Sequence, residues 1–244
     1  MRKVLSILVC MIWLAGAPLA GAGQLAEVEI VDSSTGLRLE SWHHEGRRYV
    51  VGKPGGRYAV RLANRSNGRV LAVLSVDGVN AITGETASAG QSGYVLAPRQ
   101  STVVRGWRKS LEDVAAFHFT ALPDAYAART GRPDHVGVVG VALFREYVAP
   151  QPAPLQKQAP ATAADAAGGV RERSEGERLG TGHGERLHDP ARYADFRRAD
   201  ERPAGIVSIY YDSRENLLAR GIIPRQPHRA HPQPFPAGFV PDPS

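Results

Sequence analysis

The serine, histidine and acidic residues of this 244-residue chain decide what chemistry it could do, and their spacing limits it. A serine hydrolase sets its nucleophile on a tight turn with a histidine base and a carboxylate behind it. The nearest match is Gly90-Gln91-Ser92-Gly93-Tyr94, which has Tyr where a G-x-S-x-G elbow needs Gly. Turn-forming residues before a strand explain it better. Asp77, Glu85, Glu112, Asp113 and Asp124 include enough carboxylates for acid–base work, but no spacing among them brings a pair together. Metal ligation fares no better. Neighbours in His43-His44-Glu45 point to opposite faces of a strand, and His228 and His231 lie in proline-rich sequence. His183 and His188 with Glu185 lack a third strong ligand. The expectation is no metal, no cofactor and no assignable catalytic residue.

Two further runs have binding character. Gly180-Thr181-Gly182-His183-Gly184 has the composition of an anion cradle, yet a phosphate loop needs a strand before it and a helix after it. Here a charged stretch precedes and Pro190 follows, so the run reads as a flexible or left-handed turn. Arg105-Gly106-Trp107-Arg108-Lys109 reads as a Trp anchoring a strand end among solvated charges, with a capacity to stack on an anionic polymer. The surface expected to act combines Asp77 and Asn80 of the Asp77–Asn80 turn with Trp107 and Arg108. His183 and Glu185 would join them if the C-terminal segment folds back.

The elements that must position these residues are mostly strands. Tyr58–Leu62 alternates apolar with polar or small residues, and Arg69–Val76 is continuously apolar, as a central strand would be. Asp77-Gly78 is a turn signal directly after it. Further strands are expected at 27–31, 37–42, 47–51, 93–96, 102–106, 115–120 and 136–144, with one short helix at Pro123–Arg129. This pattern predicts an antiparallel β-sandwich, or a partly open barrel, over residues 23–149.

Residues 150–178, rich in Pro, Ala and charge, read as a disordered linker. Residues 179–223 hold one strong strand, Ile206–Tyr211, then a short helix with Asp212 and Glu215 as a variant capping box and Gly221 as its stop. Too small for its own core, this segment is expected to dock on the first domain, adding a strand. Residues 224–244 carry seven prolines and read as a disordered tail.

The N-terminus has the order of a secretory signal peptide: Met1-Arg2-Lys3, an apolar run from Val4 to Ala15, and Ala20-Gly21-Ala22 as the cleavage site. Residues 1–22 would thus be removed and the protein would reach the periplasm or the exterior, with no stable membrane span left. Processing takes away Cys10, the only cysteine, and lowers the formal charge from +6 to +4. What remains is spread evenly along the chain, so nucleic acid is not the expected partner.

Several stretches taken together resemble an uncharacterised family of exported proteobacterial proteins. They are RVLAVLSVDGVNAITGE (Arg69–Glu85), GYVLAP (Gly93–Pro98), GWRKS (Gly106–Ser110), AYAARTG (Ala125–Gly131), VGVVGVALF (Val136–Phe144), LGTGHGE (Leu179–Glu185) and IYYDSRENLLARGI (Ile209–Ile222). The resemblance implies export and a β-rich region separated by a variable linker from a C-terminal LGTGHG…IYYDS segment. It implies no activity. The expected role is a non-enzymatic binding or assembly module meeting an envelope protein or polymer. The alternatives are an envelope-polymer hydrolase using carboxylates and His183, or a structural subunit assembling through an open strand edge.

Overall fold

A computed structural model describes residues 25–149 and 178–224. The expected signal peptide, nearly all of the linker and almost all of the proline-rich tail lie outside the described residues. Thirteen strands follow in chain order: β1 (Ala26–Asp32), β2 (Ser41–His44), β3 (Arg47–Val51), β4 (Arg57–Asn64), β5 (Val70–Val76), β6 (Val79–Asn80) and β7 (Tyr94–Leu96). Then come β8 (Ser101–Val104), β9 (Gly106–Arg108), β10 (Asp113–Ala121), β11 (Val138–Arg145), β12 (Leu179–His188) and β13 (Gly205–Asp212).

They form two sheets packed as a β-sandwich. One has the order β1-β4-β10-β12, with β8 beside β4 and β9 beside β10. The other runs β2-β3-β13-β11-β5-β6, with β7 beside β5. No barrel closes. Pairing is antiparallel except between β3 and β13, which run parallel in register from Ile209↔Arg48 to Asp212↔Val51. A chain that returns after a long excursion can enter a sheet in either direction.

The side chains account for the layers. Val70, Ala72, Leu74 and Val76 of β5 face the core between the sheets. Leu71 and Val73 face outward, under Phe144, Val95 and Phe196. A strand covered on both faces must be apolar throughout, which is why this run shows no alternation. In the core Tyr58 stacks on Phe117 and Phe119, with centroids 5.4 and 4.3 Å apart. Such pairs add roughly 0.5–1.5 kcal/mol beyond burial.

Local departures from expectation have local causes. Leu37 is exposed, and the second strand starts at Ser41 rather than at Leu37. The helix expected at Pro123–Arg129 is a 3₁₀ turn, Leu122–Asp124, then a single helical turn, Tyr126–Arg129, broken by extended Ala125. In the helix Arg214–Ala219 the cap is Ser213, whose side chain accepts from the Asn216 backbone N–H, and not Asp212. Gly221, at φ 67°, ends that helix. Its N–H bonds Leu218 O, and the Ile222 N–H bonds Leu217 O, the double closure of a Schellman motif.

Residues 180–184 are the main correction. They are extended strand within β12, paired to β10 from Ala121↔Leu179 to Phe117↔His183. None of their glycines has a positive φ. Glycine is present for space. A Cβ on Gly180 would lie 2.5 Å from Ala125 Cβ and 2.6 Å from Val136 Cγ1. On Gly182 it would strike the His118 ring at 2.3 Å, and on Gly184 the Ala116 carbonyl at 2.7 Å. The register shifts between Ala115 and Phe117, where β12 carries one extra residue.

Candidate functional site

Asp77 and Gly78 join Val76 to Val79 as a two-residue hairpin turn with φ of 52° and 71°, the doubly left-handed form that Asp-Gly favours. The turn does not present its carboxylate to solvent. Asp77 is fully buried. Its Oδ1 accepts from Tyr211 OH at 2.6 Å and from the backbone N–H groups of Gly137 at 2.9 Å and Val138 at 3.4 Å. Its Oδ2 accepts from the Thr181 N–H at 2.7 Å. Thr181 Oγ1 lies 2.6 Å from both Tyr211 OH and Tyr58 OH. A continuous chain of polar atoms thus crosses the core from β4 through β12 and β13 to the β5–β6 turn.

Burial is the strongest influence on this group and pushes the Asp77 carboxyl up to about 6, against the opposing pull of its hydrogen bonds from Tyr211, Thr181, Gly137 and Val138. Tyr58 and Tyr211 are raised well above the usual phenol range, first by burial and then by the Asp77 charge. Both phenols keep their protons, and that of Tyr211 goes to Asp77. Asp212 is a second anchor: its Oδ1 accepts from Ser213 N at 2.8 Å, Asn216 Nδ2 at 2.7 Å and Leu179 N at 3.4 Å.

Asn80, expected on an exposed turn, is also buried. Its Oδ1 accepts from the N–H groups of Ile82 and Thr83, and its Nδ2 donates to Gln91 Oε1 and Ser92 O. It organises the 80–92 loop. The expected surface therefore divides: Asp77 and Asn80 are internal, and the other four residues lie around β9, β10 and β12.

Trp107 is buried, edge-on to Phe117 at 4.8 Å and tilted against Tyr126 at 5.1 Å. Its indole N–H has no hydrogen-bond partner among the described residues. His183 is exposed, with its ring nearly parallel to Trp107 at 6.3 Å and 5.6 Å from Tyr126. Burial lowers the His183 imidazole first, and the nearby Lys109 charge lowers it further. Burial and Arg57 likewise lower His118, whose ring lies across Gly182. Arg108 donates to the Asp189 carbonyl. Glu185 makes a two-pronged pair with Arg57, at 2.6 and 2.8 Å.

Among the described residues no group of three or more His, Cys, Asp or Glu could hold a metal, and no helix is long and apolar enough to cross a membrane. A cleft of about 40 Å³ beside Glu29, Arg38 and Arg48 and an open depression at Gly90 and Arg198–Glu201 are lined by none of the six candidate residues. Sequence reasoning missed Tyr58, Thr181 and Tyr211, and only polar atoms inside apolar strands could have flagged them. The chain matches no family model, no curated protein and no solved structure.

Proposed function

We propose that the chain is an exported, non-enzymatic binding or assembly module of the bacterial envelope, meeting an envelope polymer or protein at the β9–β12 end of the sandwich. The observation that carries this reading is the setting of His183. It is exposed on a strand, beside the rings of Tyr126 and Trp107, and the charges that act on it come from Lys109 and His118. A hydrolase built on His183 would set carboxylates against it in a cleft. The deeply buried Asp77 is instead committed to four donors, the buried Tyr211 hydroxyl and Thr181 N–H and the half-buried N–H groups of Gly137 and Val138. The exposed His183 ring and the half-buried Tyr126 ring, with Lys109 nearby and Trp107 packed beneath them, suit stacking and pairing with a sugar or anionic chain.

Co-sedimentation of the mature protein with peptidoglycan and with an acidic polysaccharide tests the reading. Binding should fall at least tenfold in a His183→Ala/Lys109→Ala variant that keeps the wild-type unfolding midpoint. Release of soluble fragments from either polymer overturns it, as does equal retention of the variant.

A further inference from the structure

The chain has four asparagines, and only Asn67 is followed by a glycine. In such a pair the backbone nitrogen of the glycine can close a five-membered ring on the side-chain amide carbon of the asparagine. The missing Cβ keeps that approach open. Asn67 and Gly68 lie in the loop between β4 and β5, and both are exposed. A Cβ on Gly68 would meet nothing within 4 Å. Among the described residues neither the Gly68 N–H nor Asn67 Nδ2 has a hydrogen-bond partner, so the nucleophile and the leaving group of that ring closure are both unheld. Asp77-Gly78 has the same pattern without the freedom, because its carboxylate is buried and holds four donors.

The remaining group, the amide carbonyl, is held. Asn67 Oδ1 accepts from Arg99 Nε at 3.2 Å and from Arg99 Nη2 at 2.8 Å. Two prongs of a permanent cation polarise the amide and face the oxygen on which negative charge grows as the ring closes. The fold fixes this meeting. Arg99 sits at φ 60°, which side chains rarely adopt, in a turn closed by the Gln100 N–H on Ala97 O at 3.1 Å. The buried Asn64 ties that turn to the asparagine loop, its Nδ2 donating to Ala97 O at 2.9 Å and to Gly68 O at 2.8 Å. We propose that Asn67-Gly68 is a self-modification site, at which the folded chain converts Asn67 into aspartate and isoaspartate with Arg99 as the electrophilic partner. Solvent hydroxide takes the Gly68 amide proton, and the nitrogen forms a bond to Asn67 Cγ. The Cγ–Nδ2 bond then breaks, and a proton from water completes the departing ammonia and restores the hydroxide. One further water opens the cyclic imide. Opening at Cγ gives aspartate, and opening at the Asn67 backbone carbonyl gives isoaspartate. Either product sets a carboxylate near the Arg99 guanidinium, and isoaspartate adds a methylene to the backbone of the loop that Asn64 holds. This proposal does not depend on the polymer-binding reading.

Mass spectrometry of the purified protein, held folded at mildly alkaline pH, provides the test. The peptide carrying Asn67 should gain the mass of an amide turned into an acid, with isoaspartate identified by electron-transfer fragmentation, while Asn64, Asn80 and Asn216 stay intact. Ammonia should appear in equal amount, and the rate should rise with pH. Gly68→Ala has room for its methyl group and no positive φ to satisfy. It should keep the wild-type circular dichroism spectrum and convert at least tenfold more slowly. Arg99→Ala should convert severalfold more slowly than the wild type when folded and at the same rate in urea, where the Arg99 contact is gone. That difference separates polarisation of the amide from a merely structural role. The proposal is overturned if the folded wild type converts more slowly than the same chain in urea, if Gly68→Ala converts as fast as the wild type, or if folded Arg99→Ala does.

Discussion

A buried carboxylate is costly unless its acceptor sites are filled, and Asp77 meets that condition with one hydroxyl and three backbone N–H groups. Asp77→Ala would strip partners from the buried Thr181 N–H and Tyr211 hydroxyl, at about 1–3 kcal/mol each, and from the half-buried N–H groups of Gly137 and Val138. It should cost several kcal/mol, which urea unfolding would register. Thr181→Val is the finer probe. It keeps the volume and the N–H bond to Asp77 but removes the Oγ1 bridge between Tyr58 and Tyr211. Its cost should be about 1–3 kcal/mol, and a wild-type midpoint would show that the bridge is idle. Tyr211→Phe takes away a hydrogen bond that lowers the Asp77 carboxyl, so its midpoint should move above 6 in a carbon-13 carboxyl titration.

At the scale of elements, the β5–β6 turn, β12 and β13 form one cooperative unit through that carboxylate, and its ionisation sets how firmly they hold. The folded value of about 6 stands above the ordinary value of 3.8. The stabilising contribution is therefore complete below pH 3.8 and disappears as pH rises through about 6. A shift of this size corresponds to ~3 kcal/mol. Urea midpoints should fall between pH 4.5 and 7.5, and Asp77→Asn, which cannot ionise, should remove most of that slope. An unchanged slope would place its origin elsewhere. Gly180→Ala tests the fit of the same unit, since a methyl group there meets Ala125 and Val136 at about 2.5 Å. It should destabilise by at least 1–3 kcal/mol, as overpacking does. These elements also show why sequence was unequally informative. β5 was legible because its covering layers impose an apolar residue at nearly every position, and Asp77-Gly78 because its turn needs only those two residues. β12 was not. Its glycines answer to Ala116, His118, Ala125 and Val136, all distant in sequence, and locally such glycines look like a turn. The burial of Asp77 was hidden for the same reason: its partners come from residues 137, 138, 181 and 211.

For the whole molecule, sheet order makes the last part of the described chain a structural necessity. β13 pairs with residues 48–51, far earlier in sequence, and β12 closes the sheet that starts at β1. Pairings between such distant segments delay closure during folding, because the loop entropy is lost before the contacts form. The covalent connection through residues 150–177 then keeps the two parts together, at a local concentration that two separate pieces do not have. Cutting it after folding separates that effect from the contacts themselves. A protease site inserted at Pro160 would yield two pieces held together by the β10–β12, β11–β13 and β3–β13 ladders and by the Asp77 network. They should elute together with an unchanged circular dichroism spectrum. The urea midpoint should become concentration-dependent, falling on dilution, while the uncut chain shows no such dependence over the same range. Adding Asp77→Ala to the cut protein should make the pieces separate at concentrations where the cut parent stays whole. Pieces that part under native conditions without that substitution would mean that the tether, rather than the ladders and the buried carboxylate, holds the C-terminal strands in place.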